Sequence, residues 1–129
     1  MAHSFKPRVM YIENKGGSFV EHTVGDAKWR DLAEGNLAGP ARIGRVSFSK
    51  TGTTIYYQGR SLQKLKGGGF KSNYFDIATG EHFWISGPKK NGQDALYATN
   101  IPTEIDEDVR EEYWTTIRKL PQHKDRTHT

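Results

Sequence analysis

Short runs of alternating apolar residues, each cut by a glycine turn, recur along this chain and dictate most of what it can become. Asn14-Lys15-Gly16-Gly17, Lys50-Thr51-Gly52 and Ala78-Thr79-Gly80 each stand between two β-prone stretches. Glycine takes the positive φ that tight hairpin turns demand, and a period of two gives each strand one apolar face. Residues 9–13 and 18–24 read as a first hairpin, 43–49 and 53–58 as a second, and 73–77 and 81–86 as a third. In the second, Val46 and Phe48 share a face on one strand, as do Ile55 and Tyr57 on the other. In the third, Phe75 and Ile77 share a face, as do Phe83 and Ile85, leaving Tyr74, Asp76, His82 and Trp84 opposite. A further strand is expected over residues 95–99.

Two helices are expected. Asp26 can cap a short one in which Trp29, Leu32 and Ala33 share a face, ended by Gly35 and Gly39-Pro40. The stronger signal begins at Asp106, where Val109, Tyr113, Ile117 and Leu120 form one stripe. Acidic Glu107 and Asp108 in its first turn, and basic Arg118 and Lys119 in its last, suit the helix dipole before Pro121 stops it. Beyond Gln122 the chain is polar and expected to fray.

Many short strands joined by glycine turns predict a mostly β domain, a small SH3-like or partly open β-barrel of hairpins. The C-terminal helix would cover one end, with an α+β layout as the other arrangement. The 129 residues suit a single domain, 1–129, with an ordered core over about residues 7–120 and polar tails. Hydrophobic content of only 34% is offset by a 12% share of aromatic rings, enough to build a core. The absence of cysteine excludes a disulfide framework, a thiolate nucleophile and cysteine-based zinc sites. No apolar run reaches the roughly 20 residues of a membrane helix, and Lys6, Pro7 and Arg8 interrupt any signal segment, so a cytoplasmic location is expected.

Charge is unevenly spread. Residues 42–90 hold nine basic groups against two acidic ones, Asp76 and Glu81, whereas residues 91–129 hold five against eight. An anionic partner for the middle of the chain is expected, the other reading being a solvated surface that keeps the protein soluble. The candidate nucleic-acid or anion interface comprises Arg60, Lys64, Lys66, Lys71, Lys89 and Lys90, with Tyr74 and Trp84 as rings. Lysines attract phosphates and rings stack on bases, which is how small barrels hold single-stranded nucleic acid. The glycine run Gly67-Gly68-Gly69 lies among these lysines, but Phe70 stands where a phosphate-binding loop needs Lys and Ser/Thr at a helix mouth. It reads as a connection between hairpins.

The acidic residues Glu104, Asp106, Glu107, Asp108, Glu111 and Glu112 are accounted for mainly by helix initiation, or by docking on a basic surface within one molecule or across a dimer. Five scattered histidines give no metal-ligand spacing, and no nucleophile elbow is present, so no catalytic residue, metal or cofactor is assigned. Were the chain a small enzyme, His82, Asp76 and Lys71 would be the first suspects.

The segments Gly39-Pro40-Ala41-Arg42-Ile43-Gly44, Tyr56-Tyr57-Gln58-Gly59, Asn73-Tyr74-Phe75-Asp76, residues 84–90 and residues 105–114 resemble a group of short bacterial proteins of unestablished activity. The likeness spans about two-thirds of the chain. It implies a bacterial origin and transfers no active site. From the basic, ring-bearing middle of the chain, the expected function is non-catalytic binding, of nucleic acid through a basic, ring-bearing β surface. The other expectation is a protein-interaction module or homo-oligomer using an aromatic groove at Trp84 or the acidic C-terminal helix.

Overall fold

The computed structural model describes residues 6–17, 19–24, 27–32, 38–65, 72–95, 97 and 99–129, with only the backbone of 19–24 and 27–32. The described residues hold nine strands: β1 (Arg8–Gly16), β2 (Phe19–Val24), β3 (Ala27–Leu32), β4 (Ala41–Phe48), β5 (Thr54–Tyr57), β6 (Arg60–Lys64), β7 (Tyr74–Asp76), β8 (His82–Ser86) and β9 (Glu104–Ile105). Six of them close into an antiparallel barrel in the order β1-β8-β7-β6-β5-β4, sealed by β1 pairing with β4. β9 adds in parallel to the early part of β4, whose later part pairs with β5. Closure leaves the six barrel strands without an open edge.

The second and third hairpins form as expected, with Phe48 opposite Ile55 and Tyr74 opposite Phe83. The first does not. β1 pairs with β4 on one side and β8 on the other, while β2 pairs with β3 in a separate two-stranded sheet. β3 occupies the segment expected to be a short helix. Its backbone pairs with β2 from Phe19↔Leu32 to Val24↔Ala27, and a helix of two turns is too short to hold without tertiary support. Strand β6 was not foreseen, because Arg60-Ser61-Leu62-Gln63-Lys64 holds one apolar residue and no visible alternation. Residues Ala95, Tyr97 and Thr99 carry no strand.

Strand β1 is buried on both faces, and this divides the core in two. Met10 and Ile12 point into the barrel with Val46, Ile55, Tyr57, Leu62, Phe83 and Ile85. Val9 and Tyr11 point outward with Ala41 and Ile43, under Ile105, Val109, Tyr113 and Trp114. Each such fully buried large side chain contributes about 1.5–3 kcal/mol. The C-terminal helix therefore covers the outer wall of β1 and β4, rather than an end of the barrel. On β7 the inward residues are Tyr74 and Asp76, so Phe75 and the exposed Ile77 face out.

That helix changes pitch along its length. A 3-10 turn (Glu107–Val109) leads into one α turn (Arg110–Glu112) and then a π turn (Tyr113–Ile117), where the Arg118 N–H donates to the Tyr113 carbonyl. The wider turn lets the adjacent rings of Tyr113 and Trp114 both bury, meeting edge to face at 5.1 Å. Lys119 then takes a left-handed φ of 55°, and the Leu120 N–H closes back on the Trp114 carbonyl. Past Pro121 the chain does not fray. The Trp114 indole donates to the Arg126 carbonyl, Ile105 N–H to Thr127, and Thr129 N–H to Thr103. Among the described residues no helix is long and apolar enough to cross a membrane.

Candidate functional site

Strand directions decide where the charges of the barrel fall. β1, β5 and β7 begin at one end of the barrel; β4, β6 and β8 finish there. That end therefore gathers Lys6 and Arg8 before and at the start of β1, Lys50 in the β4–β5 turn, and Lys64 at the end of β6. Lys89 and Lys90 follow β8 there. All six are exposed. None of the six forms an ion pair among the described residues, where the paired cations are Lys15, Arg42, Arg45 and Arg60.

The opposite end, where β1 finishes and β6 and β8 begin, is built differently. Arg60 Nη1 donates to Asp76 Oδ2 at 2.6 Å and to Glu81 Oε1 at 3.0 Å. Both carboxylates, Glu81 foremost, hold the guanidinium firmly protonated. Hydrogen bonds from Asn14 and then Arg60 hold the Glu81 carboxyl below its ordinary range. Arg42 donates from Nε to Asp106 Oδ1 and lies 2.8 Å from Glu104 through Nη1. The Tyr57 hydroxyl donates to the other Asp106 oxygen at 2.5 Å, and burial together with that carboxylate pushes its phenol up. Tyr57 reaches Asp106 by lying across Gly44. A β-carbon there would sit 2.5 Å from Tyr57 Cε1 and 2.5 Å from Asp106 Oδ2. Asp106 stands at the expected N-cap of the helix, yet its side chain makes no capping bond and serves Arg42 and Tyr57 instead.

The residues expected to form one interface are thus divided. Lys64, Lys89 and Lys90 share the basic end. Arg60 stands at the other end among carboxylates. The Tyr74 ring turns inward against the barrel core, where burial raises its phenol, and Trp84 packs from the outer side of β8 against the wall beneath the helix. Lys66 and Lys71, with the glycine run between them, lie outside the described residues. Lys6, Arg8 and Lys50 escaped the sequence reading because they are far apart in the chain. Knowing that β1, β4 and β5 share an end would have collected them.

The acidic C-terminal stretch docks within the molecule. Arg45 pairs with Glu112 at 2.8 Å and with Asp108 at 4.0 Å, and Arg42 takes Glu104 and Asp106. Glu107 and Glu111 remain exposed. The suspects for a small enzyme do not converge: Asp76 faces the barrel interior and His82 the outside of the neighbouring strand.

A third group of charges is buried between β1 and the segment after β8. Glu13 and Lys15, both on the outer face of β1, form an ion pair at 2.9 Å with each side chain 1% exposed. The Tyr11 hydroxyl and the Gly39 N–H also donate to Glu13, and the Lys15 ammonium lies 5.2 Å from the centre of the Tyr97 ring. Nearby, the buried Asp94 accepts from the Lys89 N–H, and desolvation raises its carboxyl above the ordinary range. Every strong partner here is internal, as expected of a network that fixes the fold.

No family model matches the chain, no curated protein matches it, and no solved structure does.

Proposed function

We propose that the protein is a non-catalytic binding domain that holds nucleic acid by its phosphates at the basic end of the barrel. The observation that carries this reading is the gathering of six exposed, unpaired cations there, while the cations of the other end are matched to carboxylates. Unpaired surface cations at one pole concentrate positive potential, and they release counterions when phosphates replace water. The positions of Tyr74 and Trp84 alter the expected mode. With those rings packed inward or against the wall, contact is by charge alone, and base stacking contributes little.

Fluorescence anisotropy with labelled single-stranded RNA, single-stranded DNA and duplex DNA tests the reading at several salt concentrations. Six phosphate contacts give a slope of about −5 in log K against log salt on duplex DNA. A Lys64→Glu/Lys89→Glu/Lys90→Glu variant should lose binding to all three probes alike. Absence of binding at low salt, or binding unchanged in that variant, would refute the proposal. An interaction with an acidic protein surface would then become the leading reading.

A further inference from the structure

The end of the barrel opposite the lysines holds a cleft of about 400 Å³ whose contents follow from the strand register. Ile12, Tyr57 and Phe83, core residues that face inward near this end of their strands, form an apolar floor. Arg60 and Arg42 stand on its walls, and Ile101, one of the few exposed large apolar side chains, stands at the rim. A volume of this size suits a small organic molecule.

The hydrogen-bonding capacity left at the cleft specifies which kind. Each carboxylate nearby is already committed. Asp76 accepts from Arg60 and from the Ala78 and Thr79 N–H groups, and Glu81 from Arg60, Asn14 and Thr79. Asp106 is taken by Arg42 and Tyr57, and Glu104 by Arg42. The arginines are not exhausted. Arg60 bonds through Nη1 alone, and Arg42 through Nε and Nη1, so each keeps N–H donors in hand. A ligand must therefore bring acceptors.

Charge sets the second condition. Two arginines and four carboxylates leave this end at −2, which disfavours an added anion. Shape sets the third. The Arg60 guanidinium lies 5.4 Å from the centre of the Phe83 ring, and a guanidinium plane so backed is a platform on which flat rings stack. The turn that carries Arg60 into place is itself strained, with Gln58 at a φ of 48° where a β-carbon is disfavoured. Its side chain borders the same cleft.

We infer that this cleft is a binding site for a neutral, planar, acceptor-bearing heterocycle, a nucleobase or nucleoside without its phosphate. The ring stacks on Arg60 over the apolar floor, and its carbonyl or ring nitrogen acceptors take the spare N–H groups of Arg60 and Arg42. Phosphorylated forms bind less well, because the four carboxylates paired with the two arginines leave this end of the barrel at −2. The site is independent of the basic end, so either assignment can fail without the other.

Two-dimensional amide NMR of the full chain, titrated with uridine, adenosine and adenosine monophosphate, tests the inference. Uridine or adenosine should shift the amides of Asn14, Gln58, Gly59 and Ile101 with a Kd of about a millimolar or tighter, a free energy near −4 kcal/mol. Those of Lys64 and Lys89 should stay in place, and the monophosphate should bind more weakly. Arg60→Lys keeps the charge beside Asp76 and Glu81 but removes the stacking plane, and should weaken nucleoside binding about tenfold. Ile101→Ala, at an exposed position that folding tolerates, should weaken it about threefold. No shifts with either nucleoside would overturn the inference. So would tighter binding of the monophosphate read at the cleft amides, or nucleoside shifts confined to the basic end.

Discussion

Replacing Lys15 by methionine isolates the buried charge pair on the outer face of β1. The change removes the ammonium and keeps most of the length and apolar bulk of the side chain. Glu13 is then left with a buried carboxylate and no counter-ion, and breaking a buried pair from one side costs about 3–5 kcal/mol. Glu13 still accepts from the Tyr11 hydroxyl and the Gly39 N–H, so the expected loss lies at the lower limit, about 3 kcal/mol. For a chain of 129 residues this lowers Tm by about 10–15 °C. Removing both charges with Glu13→Gln/Lys15→Met should cost less than either single change, because no uncompensated charge stays behind. A coupling energy of about 3 kcal/mol or more follows. Urea unfolding at neutral pH measures all three variants, with the shift read in the midpoint at constant m. If Lys15→Met costs less than about 1 kcal/mol, or the double variant costs as much as the sum of the singles, the pair behaves like a solvated surface contact. The reasoning from its burial is then wrong.

Further outcomes follow from other contacts. Gly44→Ala should destabilise by about 1–3 kcal/mol, since Tyr57 and Asp106 must both move, and chemical denaturation would show it. Tyr57→Phe should cost about 1.5–3 kcal/mol through the lost bond to the Asp106 carboxylate, with the NMR signature of the barrel retained. Asp94→Asn keeps an acceptor for the Lys89 N–H and removes a carboxyl that desolvation holds above its unfolded value. A raised carboxyl supports the fold below the unfolded value near 3.8 and loses that contribution as pH rises through the folded one. The variant should therefore gain on the parent chain as pH climbs from about 4 toward neutrality, and a pH-independent difference in unfolding free energy would contradict this.

What the sequence disclosed, and what it hid, divides along physical lines. The β4–β5 and β7–β8 hairpins were legible because alternation and a glycine turn lie within about a dozen residues, where local chemistry decides. The Asp106 helix was legible from its stripe, and Val109 and Tyr113 are both fully buried. β1 was misassigned because its partners, β4 and β8, lie some 30 and 70 residues away, beyond the reach of local pattern reading. Its continuous apolar run, Val9-Met10-Tyr11-Ile12, was the available signal: burial on both faces abolishes alternation. β6 was hidden because its turn places Gln58 where Asn or Gly marks such hairpins. For the candidate site, composition revealed the excess of positive charge in the middle of the chain but not its division. Arg60 and Lys64 are four residues apart and stand at opposite ends of one strand. Which rings are spent on the core, as Tyr74 is, depends on register, and one residue of slip reverses it.

The seal between β1 and β4 also bears on how the chain is made. As it leaves the ribosome, hairpins β4–β5 and β5–β6 can form as soon as their residues emerge, since each pairs neighbours. β1 can lie down on β4 early, but its other flank stays bare until β8, ending at Ser86, has been synthesised. Until then the growing chain displays the donors and acceptors of β1 as an open template, the species most exposed to pairing with another copy. Synthesis that stalls between the end of β6 and the end of β8 should therefore be where this protein aggregates, and the last barrel strand is the one that ends that hazard.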